Sequence, residues 1–369
     1  MNKIQIDLSQ YKTEDQFYGK IDLLLTVKNF DLQSIRKRYI ASKTNVSGKA
    51  GSVERRKVGT GGICFVTLEN GKLNKEEVFV SLKEPRGIAV KGNLLAIAAE
   101  NSVYLITDEI RTIENPWFSY IHTIDFNPFD ETKVLVASSG LDCIFEYDLN
   151  TLEQVYAWHA WENGFNESIN KEGETVILTR DPDEAIALKE AGKDFKLIRN
   201  PENETLPTAQ RAAFINTVTY DTIQKNHFLA TFFHEGAVFR IDMASGKATK
   251  VVDGMKNPHG GRNEGDLLMA TSTGTGEIIR KGAAEETKYQ FSNLSGKEEA
   301  LGDMEWIQNA IDKDGNIIAI DSNRTSFIVF NPVSKLISKV AYNNNWAVQD
   351  LVVGSATAEQ IELMKSLGN

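Results

Sequence analysis

The sequence predicts an all-β fold, a seven-bladed β-propeller made of four-stranded antiparallel blades. Most of the 369 residues form short apolar runs separated by Gly, Asn and Asp, which favour turns. In residues 121–158 four such runs follow one another with turn-rich joints, and a meander of about 40 residues is the unit of a propeller blade. The pattern recurs, fully or in part, in residues 85–109, 165–181, 215–252, 258–282 and 307–342.

The two ends of the chain predict the seventh blade. Residues 21–83 contain three strand-like runs that lack a first strand, whereas residues 345–354 read as a first strand with no strand after it. Pairing them closes the ring and leaves no free sheet edge. A six-bladed ring with a separate N-terminal segment is the runner-up. The predicted organisation is an N-terminal extension (1–20), a single propeller domain (21–354, its closing blade from 21–83 plus 345–354) and a C-terminal helix (355–369).

Composition and charge argue against several classes of partner. The chain carries 41 Lys and Arg residues against 51 Asp and Glu residues, a net charge of −10, so it lacks the basic composition typical of nucleic-acid or anionic-membrane binding. No apolar run resembles a signal-peptide core or a membrane span. Cys64 and Cys143 lie in apolar strand-like runs, which predicts buried thiols. We therefore predict a cytoplasmic protein with no nucleic-acid or membrane partner.

A polar residue opens the first strand of each predicted blade. First strands line the central channel of a propeller, so these side chains are expected to converge near one mouth of it. Convergent polar groups in a concave site are typical of ligand binding, although solvated channel residues would give the same pattern. The seven residues are Arg86, His122, Asn166, Asn216, His259, Gln308 and Gln349.

Aromatic residues point to the same mouth. All five Trp residues lie in or beside the segments that join one blade to the next. Aromatic walls around polar groups suit stacking on a sugar ring or an aromatic substrate, and packing between blades is the alternative interpretation. We predict Trp117, Trp161 and Trp306 as walls of the site. His234 interrupts the apolar stretch ATFFHEGAVF and joins the substrate-binding candidates.

The two histidines of the ring define the predicted chemistry. His122 and His259 are three predicted blades apart, so they are expected to face each other across the channel and to hold one divalent metal ion. Alternatively, one imidazole acts as a general base while Arg86 clamps an anion. The seven positions include no carboxylate, which weakens a Ca²⁺ or Mg²⁺ site. No nucleotide-binding motif is present, so no nucleotide cofactor is predicted.

These residues predict an enzyme that acts on a small polar or aromatic-bearing molecule bound at the mouth of the channel. Its reaction would be of the lyase, hydrolase or isomerase type. The alternative is a non-catalytic scaffold or ligand sensor that binds a protein, a peptide or a metabolite.

Three stretches resemble blades of known propeller families. PRGIAVKGNLLAIAAENSVYLI (85–106) is similar to an NHL-type repeat. NPHGGRNEGDLLMATSTGTGEIIR (257–280) resembles a blade of the virginiamycin B lyase family, which is seven-bladed and uses a channel His and a metal; the resemblance maps to His259, and that family's acidic residues have no clear counterpart here. Residues 215–252 resemble an arylsulfotransferase blade. That family's His and Arg positions hold Phe214 and Phe233, which argues against sulfotransfer.

Three segments stand apart from the blades. A Gly/Ser-rich basic segment, residues 42–62, is interpreted as a mobile insertion between two strands or as a lid that grips a phosphate; its basic residues are Lys43, Lys49, Arg55, Arg56 and Lys57. Helical periodicity over 181–194 predicts a short helix on the third blade. The C-terminal helix, capped by Ser355 or Thr357, is expected to pack against an outer surface or a partner subunit, which would make the protein an oligomer.

Overall fold

The strands of the computed structural model form seven sheets within residues 1–55 and 57–368, the part of the chain that the structure describes. The strands of the first half are β1 (Asn2–Asp7), β2 (Lys12–Thr13), β3 (Ile21–Val27), β4 (Thr60–Glu69), β5 (Lys72–Lys83), β6 (Gly87–Lys91), β7 (Leu94–Ala98), β8 (Ser102–Ile106), β9 (Ile110–Glu114), β10 (Ile121–Phe126), β11 (Lys133–Ser138), β12 (Cys143–Asp148), β13 (Gln154–His159), β14 (Glu167–Ile169) and β15 (Thr175–Thr179).

The second half continues the same pattern. Its strands are β16 (Phe195–Leu197), β17 (Ile215–Tyr220), β18 (His227–Phe232), β19 (Ala237–Asp242), β20 (Ala248–Val252), β21 (Pro258–Glu264), β22 (Leu267–Ser272), β23 (Glu277–Lys281), β24 (Glu285–Gln290), β25 (Ile307–Lys313), β26 (Asn316–Asp321), β27 (Ser326–Asn331), β28 (Leu336–Ala341) and β29 (Val348–Val353). The helices are α1 (Leu32–Ser42), α2 (Pro182–Glu190) and α3 (Ala358–Lys365).

Most of the sheets are antiparallel meanders, as a propeller requires. The strands β6–β9, β10–β13 and β17–β20 form three four-stranded sheets in chain order. Two further meanders, β21–β24 and β25–β28, each gain a fifth strand from the N-terminal segment: β1 pairs in parallel with β24, and β2 pairs in parallel with β28. These two additions cover outer edges that would otherwise expose unpaired backbone groups.

The remaining four-stranded sheet joins the two ends of the chain. Its strand order is β29-β3-β4-β5, and Val348 pairs with Val27. Beside this pair, Nζ of Lys28 donates to Oε1 of Gln349 at 2.8 Å. The prediction of an all-β propeller with four-stranded antiparallel sheets, closed by its terminal strands, is confirmed.

The predicted count of seven blades is not confirmed. The third sheet, β14-β15-β16, has three strands, and β15 and β16 run parallel because α2 crosses between them. It also has no place in the inner ring, because β17 lies directly against β10: the backbone N–H of Val218 donates to Oγ1 of Thr123 at 2.9 Å. The strand-like run at 165–181 therefore begins a sheet beside the ring, not a blade of it.

Six inner strands form the channel wall in the described part of the chain: β29, β6, β10, β17, β21 and β25. Gly87 of β6 approaches the Cα atom of Thr123 so closely that a Cβ there would lie 2.8 Å away. On the other side of the ring, Nδ2 of Asn309 donates to Oδ1 of Asp350 at 2.7 Å and joins β25 to β29. Short polar side chains and one Gly thus hold neighbouring inner strands together.

The helix α3 packs on the outside of the closing sheet. It begins after Thr357, whose side chain accepts from the backbone of Gln360 while the Gln360 side chain accepts in return, a capping box. Met364 is fully buried against the outer strands, and Nε2 of Gln360 donates to the carbonyls of Asn93 and Ile106. Hydrophobic and hydrogen-bonding contacts within the chain therefore fix the helix.

The core lies in apolar layers between neighbouring sheets. Both cysteines are buried there, and burial raises the pKa of the Cys64 and Cys143 thiols. Over the described residues, no helix is both long enough and apolar enough to cross a membrane.

Candidate functional site: a cationic pocket at one mouth of the channel

Four of the predicted polar residues lie at β-bulges near one mouth of the channel. His122, Asn216 and Gln349 are each the extra, unpaired residue of a bulge near the start of an inner strand. Gln308 lies in an equivalent irregularity of β25. A bulged residue leaves the strict alternation of a strand, so its side chain can turn to a new direction. Four of the seven repeated polar positions therefore lie at bulges or irregularities, whereas His259 pairs with Thr271 and Arg86 precedes β6.

A pocket lies at this mouth of the channel. Five of the predicted residues line it: Arg86, His122, His259, Trp306 and Gln308. The sequence interpretation missed several lining residues that come from helix α1 or from connections between strands, among them Lys28, Arg38, Tyr39, Arg211 and Phe233.

The helix α1 covers one side of the pocket. Asp31 caps its start by accepting from the backbone N–H of Ser34 at 2.9 Å. The buried guanidinium of Arg36 anchors it to the next sheet, since it donates to Oε1 of Glu298 and to the carbonyls of Ser322 and Asn323 at 2.6–3.0 Å. Anchoring at this residue directs Ile35, Arg38 and Tyr39 to the pocket.

The segment after α1 continues this cover. Gly51 and Ser52 line the pocket, and the carbonyl of Ser52 accepts from the backbone of Ala209 at 3.1 Å. Nζ of Lys49 donates to the carbonyl of Arg211 at 3.2 Å. The basic segment predicted as an insertion or a lid is therefore joined to the connection before β17, and its Arg56 lies outside the described residues.

The pocket concentrates positive charge. Lys28, Arg38, Arg86 and Arg211 all line it, and no Asp or Glu does so among the residues that the structure describes. A nearby carboxylate, that of Glu84, is buried behind Arg86 and pairs with its Nη2 at 3.0 Å. The described lining thus carries four cationic side chains and no carboxylate.

Arg211 is held between two aromatic rings. Its guanidinium carbon lies 4.9 Å from the ring centre of Tyr120 and 4.7 Å from that of Phe214. Both aromatic residues have left-handed backbone, with φ of 48° and 49°, and each immediately precedes an inner strand. Such a conformation is strained for a bulky side chain, and strain of this kind clusters at functional sites.

The imidazole of His122 is fully engaged by its neighbours. Nη1 of Arg86 lies 2.7 Å from its Nε2, and the carbonyl of Asn216 lies 3.3 Å from its Nδ1. Arg can only donate, so Nε2 accepts and Nδ1 carries the proton. Burial, and then the charge of Arg86, holds the pKa of His122 well below its usual range. This histidine is therefore neutral and its lone pair is occupied.

The imidazole of His259 is different, because one nitrogen remains available. Its Nδ1 contacts the carbonyl of Asn257 at 3.2 Å and Oγ1 of Thr273 at 2.9 Å, so Nδ1 carries the proton. Its Nε2 makes no hydrogen bond to a described residue. Burial, reinforced by the charge of Lys28, lowers the pKa of His259 to about 3. The side chain thus presents a neutral acceptor to the pocket.

Gln308 contributes a buried amide. Its Oε1 accepts from the indole Nε1 of Trp306 at 2.7 Å, which orients the amide because an indole can only donate. Its Nε2 is buried and has no hydrogen-bond partner in residues 1–55 and 57–368.

Asn216 and Gln349 support the site from its edge. Nδ2 of Asn216 donates to the carbonyl of Pro258 at 2.7 Å and its own carbonyl contacts His122, so it links three parts of the wall. Gln349 orients Lys28 through their hydrogen bond.

Six predicted site residues do not line the pocket: Asn216 and Gln349, which lie at its edge, and Asn166, Trp117, Trp161 and His234. Asn166 precedes β14, outside the inner ring, where its carbonyl accepts from Leu178. Trp161 lies in a hydrophobic core and the half-buried Trp117 packs against it, with ring centres 6.3 Å apart. His234 lies behind Phe214 and contacts the carbonyl of Thr208 through Nε2, and burial lowers its pKa to about 3. For the two tryptophans, packing between sheets is the interpretation that the structure favours.

The residues at this mouth do not fit the predicted metal ion. The rings of His122 and His259 are stacked, with centres 6.4 Å apart and planes 21° apart, so they do not face each other across the channel. Nε2 of His122 points at a guanidinium, which would repel a divalent cation. No group of three His, Cys, Asp or Glu side chains suited to a metal occurs among the described residues.

The opposite mouth of the channel is acidic. A second cavity there is lined by the far ends of the inner strands and includes Asp125, Glu264, Asp312 and Asp350. Burial raises the pKa of both Asp125 and Asp350 to about 6. Lys91 and Arg262 are the only described cations at its lining. The channel is thus cationic at one end and acidic at the other.

Comparison with known proteins shows the fold. No family model matches the chain, and no curated protein matches its sequence. The chain is similar to a solved structure of a nidogen–laminin complex, with a TM-score of 0.53 and 10% identity over 90% of this chain and 97% of that one. It also matches a streptogramin B lyase structure with a TM-score of 0.44 and 11% identity, over 73% and 93% of the two chains. Such low identities carry no function. The match with a TM-score of 0.53 is a propeller and agrees with the sheets described above, so the chain is a β-propeller.

Proposed function

We propose that the chain binds a small organic anion in the cationic pocket and acts on it as an acid–base enzyme of the lyase, hydrolase or isomerase type. The observation that carries the proposal is the convergence of Lys28, Arg38, Arg86 and Arg211 on one pocket without a described carboxylate at its lining. In a chain with a net charge of −10, such a local excess of positive charge favours an anionic ligand.

The apolar side of the pocket supports a ligand with a hydrophobic or aromatic part. Phe214 and Phe233 lie together with ring centres 4.7 Å apart, and Tyr39 and Trp306 lie 5.2 Å apart. All four side chains line the pocket. Apolar walls with a few oriented polar groups are the usual construction of a small-molecule site.

In this proposal His259 is the general base. Its Nε2 is the acceptor that faces the pocket, and Thr273 and the Asn257 carbonyl hold the imidazole by its other nitrogen. A base with a pKa of about 3 is weak. A bound anion would add negative charge beside the imidazole and so raise that pKa toward neutrality.

Arg86 and His122 then have supporting roles. Arg86 is the proposed clamp for the anion, and Glu84 fixes the direction of its guanidinium. His122 is a positioning residue, because its lone pair is taken by Arg86. A metal-dependent reaction is not part of the proposal, since these groups oppose the entry of a cation.

Isothermal titration calorimetry tests the binding. Aromatic carboxylates, sugar acids and phosphate monoesters are compared with their neutral amides and alcohols, and only the anions are expected to bind. Lys28→Met should weaken the anion about tenfold, as expected for a charged hydrogen bond. Lys91→Met is the matched control, because this Lys lies at the acidic mouth. The proposal would be refuted if the neutral analogues bound as tightly as the anions, or if no anion bound.

A ligand sensor without turnover is the alternative that the same pocket supports. It would bind the same anion and release it unchanged, so a product assay on every anion that binds separates the two. A protein-binding scaffold is less well supported, because α1 and residues 51–52 cover the pocket. A cytoplasmic location and an oligomer formed through α3 stay predictions.

A further inference from the structure

We propose that the ligand of the cationic pocket is a hydroxylated organic anion whose hydroxyl group is held between Gln308 and His259. This inference rests on the proposed anion-binding function and narrows its substrate class.

The first argument is the buried amide of Gln308. The side chain is 1% exposed and lines the pocket, yet its Nε2 has no hydrogen-bond partner among the described residues. Trp306 prevents the amide from turning over, because its indole N–H needs the Oε1 acceptor. A buried donor without a partner destabilises a fold, so such a group calls for a specific explanation. An acceptor atom on the ligand provides one.

The second argument is the available acceptor on His259. Its proton is on Nδ1, between the Asn257 carbonyl and the Thr273 hydroxyl, which leaves the lone pair of Nε2 for the ligand. The group that binds there must donate a hydrogen bond. A carboxylate or a phosphate dianion has no proton to donate, so the anionic group itself does not suit this position.

The third argument is that the donor and the acceptor belong to one wall. Oγ1 of Thr273 contacts His259 and donates to the carbonyl of Ile307 at 2.8 Å, the residue before Gln308. A hydroxyl is the smallest group that both accepts and donates, so it can satisfy both side chains at once. A carbonyl would leave His259 unsatisfied. An ammonium group would leave Gln308 unsatisfied and would be repelled by Lys28, whose charge acts on His259.

Matched pairs of anions test the proposal in titration calorimetry. The carboxylate pair is 3-phenyllactate and 3-phenylpropionate, and the phosphate pair is glycerol 1-phosphate and propyl phosphate. In at least one pair the hydroxylated member is expected to bind about tenfold more tightly, the effect of one or two well-formed hydrogen bonds. Gln308→Met should remove most of this preference while the non-hydroxylated anion keeps its affinity. Gln349→Met, which changes the other amide near Lys28, should leave the preference intact.

The outcomes separate this inference from the function on which it rests. Equal affinity within both pairs overturns the hydroxyl inference and leaves anion binding in place. Failure of all four anions to bind overturns both. Should Gln308→Met not fold, the comparison within each pair on the unmodified protein still decides. A preference that survives in folded Gln308→Met would also contradict the assignment.

Discussion

Nη1 of Arg86 donates a hydrogen bond to Nε2 of His122 over 2.7 Å, and this contact separates the roles of the two histidines in the pocket. It fixes the proton of His122 on Nδ1 and occupies the lone pair that a general base would need. His259 has the same tautomer but keeps its Nε2 available. The two rings lie 6.4 Å apart, so a small change of partners gives neighbouring imidazoles different chemistry.

Replacing Arg86 is expected to destabilise the fold strongly. Arg86→Met removes the guanidinium that pairs with the buried carboxylate of Glu84, and breaking a buried pair in this way costs about 3–5 kcal/mol. Urea denaturation measures the loss. The double variant Arg86→Met/Glu84→Gln removes the charge as well and should recover most of the stability. A loss below about 1 kcal/mol in the single variant would show that the pair contributes little.

Acidification is expected to destabilise the protein through His259. Its native pKa of about 3 lies below the unfolded value of about 6.5, so the unfolded chain binds more protons between these values and stability falls as pH decreases through that range. Between pH 7 and pH 5 this histidine alone lowers the free energy of unfolding by about 2 kcal/mol.

The test compares the unmodified protein with His259→Gln at both pH values. From pH 7 to pH 5 the free energy of unfolding of the variant should fall by about 2 kcal/mol less than that of the unmodified protein. Asp125 and Asp350 act in the opposite direction, because their pKa values are raised to about 6, and the comparison cancels their contribution. Parallel profiles of stability against pH for the two proteins would show that the pKa of His259 is not lowered in the folded protein.

Loosening α1 is expected to open the pocket without unfolding the propeller. Arg36→Met removes the contacts to Glu298, Ser322 and Asn323 that hold this helix. Amide hydrogen exchange of residues 32–42 should accelerate at least tenfold, while the inner strands keep their protection. Lys37→Met is the control, since this neighbour is exposed. Unchanged exchange in Arg36→Met would mean that other contacts hold α1.

Truncating the core residue of α3 tests whether this helix packs within one chain. Met364 is fully buried against the closing sheet, so Met364→Ala should destabilise by about 2–5 kcal/mol, and exposed Glu362→Ala should have little effect. The loss should be the same at low and at high protein concentration. A loss that depends on concentration would indicate packing against a second copy, the arrangement that the predicted oligomer requires.

Much of the fold follows from local patterns in the sequence. Short alternating strands and turn residues predict the meanders, and the incomplete units at the two ends predict the pairing of β29 with β3. The unit that begins near Asn166 misleads, because three short strands and a helix replace the expected meander there. Asn166 is polar like the residues that open the inner strands, but it does not face the channel because β14 lies outside the inner ring.

The cations of the site were harder to predict. Lys28 and Arg211 lie in connections whose path depends on contacts far along the chain, such as that of Lys49 with the Arg211 carbonyl. The helix α1 carries a readable signal in its Asp31 cap and in the spacing of Leu32, Ile35 and Tyr39, but charged residues interrupt that apolar face. Propensity alone does not reveal that Arg36 is buried.

The pairing that closes the ring also sets the order of events during synthesis. Lys28 and Gln349, which meet beside the closing strands, are 321 positions apart. At about 5–20 residues per second, a ribosome needs roughly 15–60 s to bring the second partner out after the first. During that interval β3 carries an open edge and invites pairing with other nascent chains. Translation that stops just before β29 would therefore release a product prone to aggregate, although nearly all of its blades are complete.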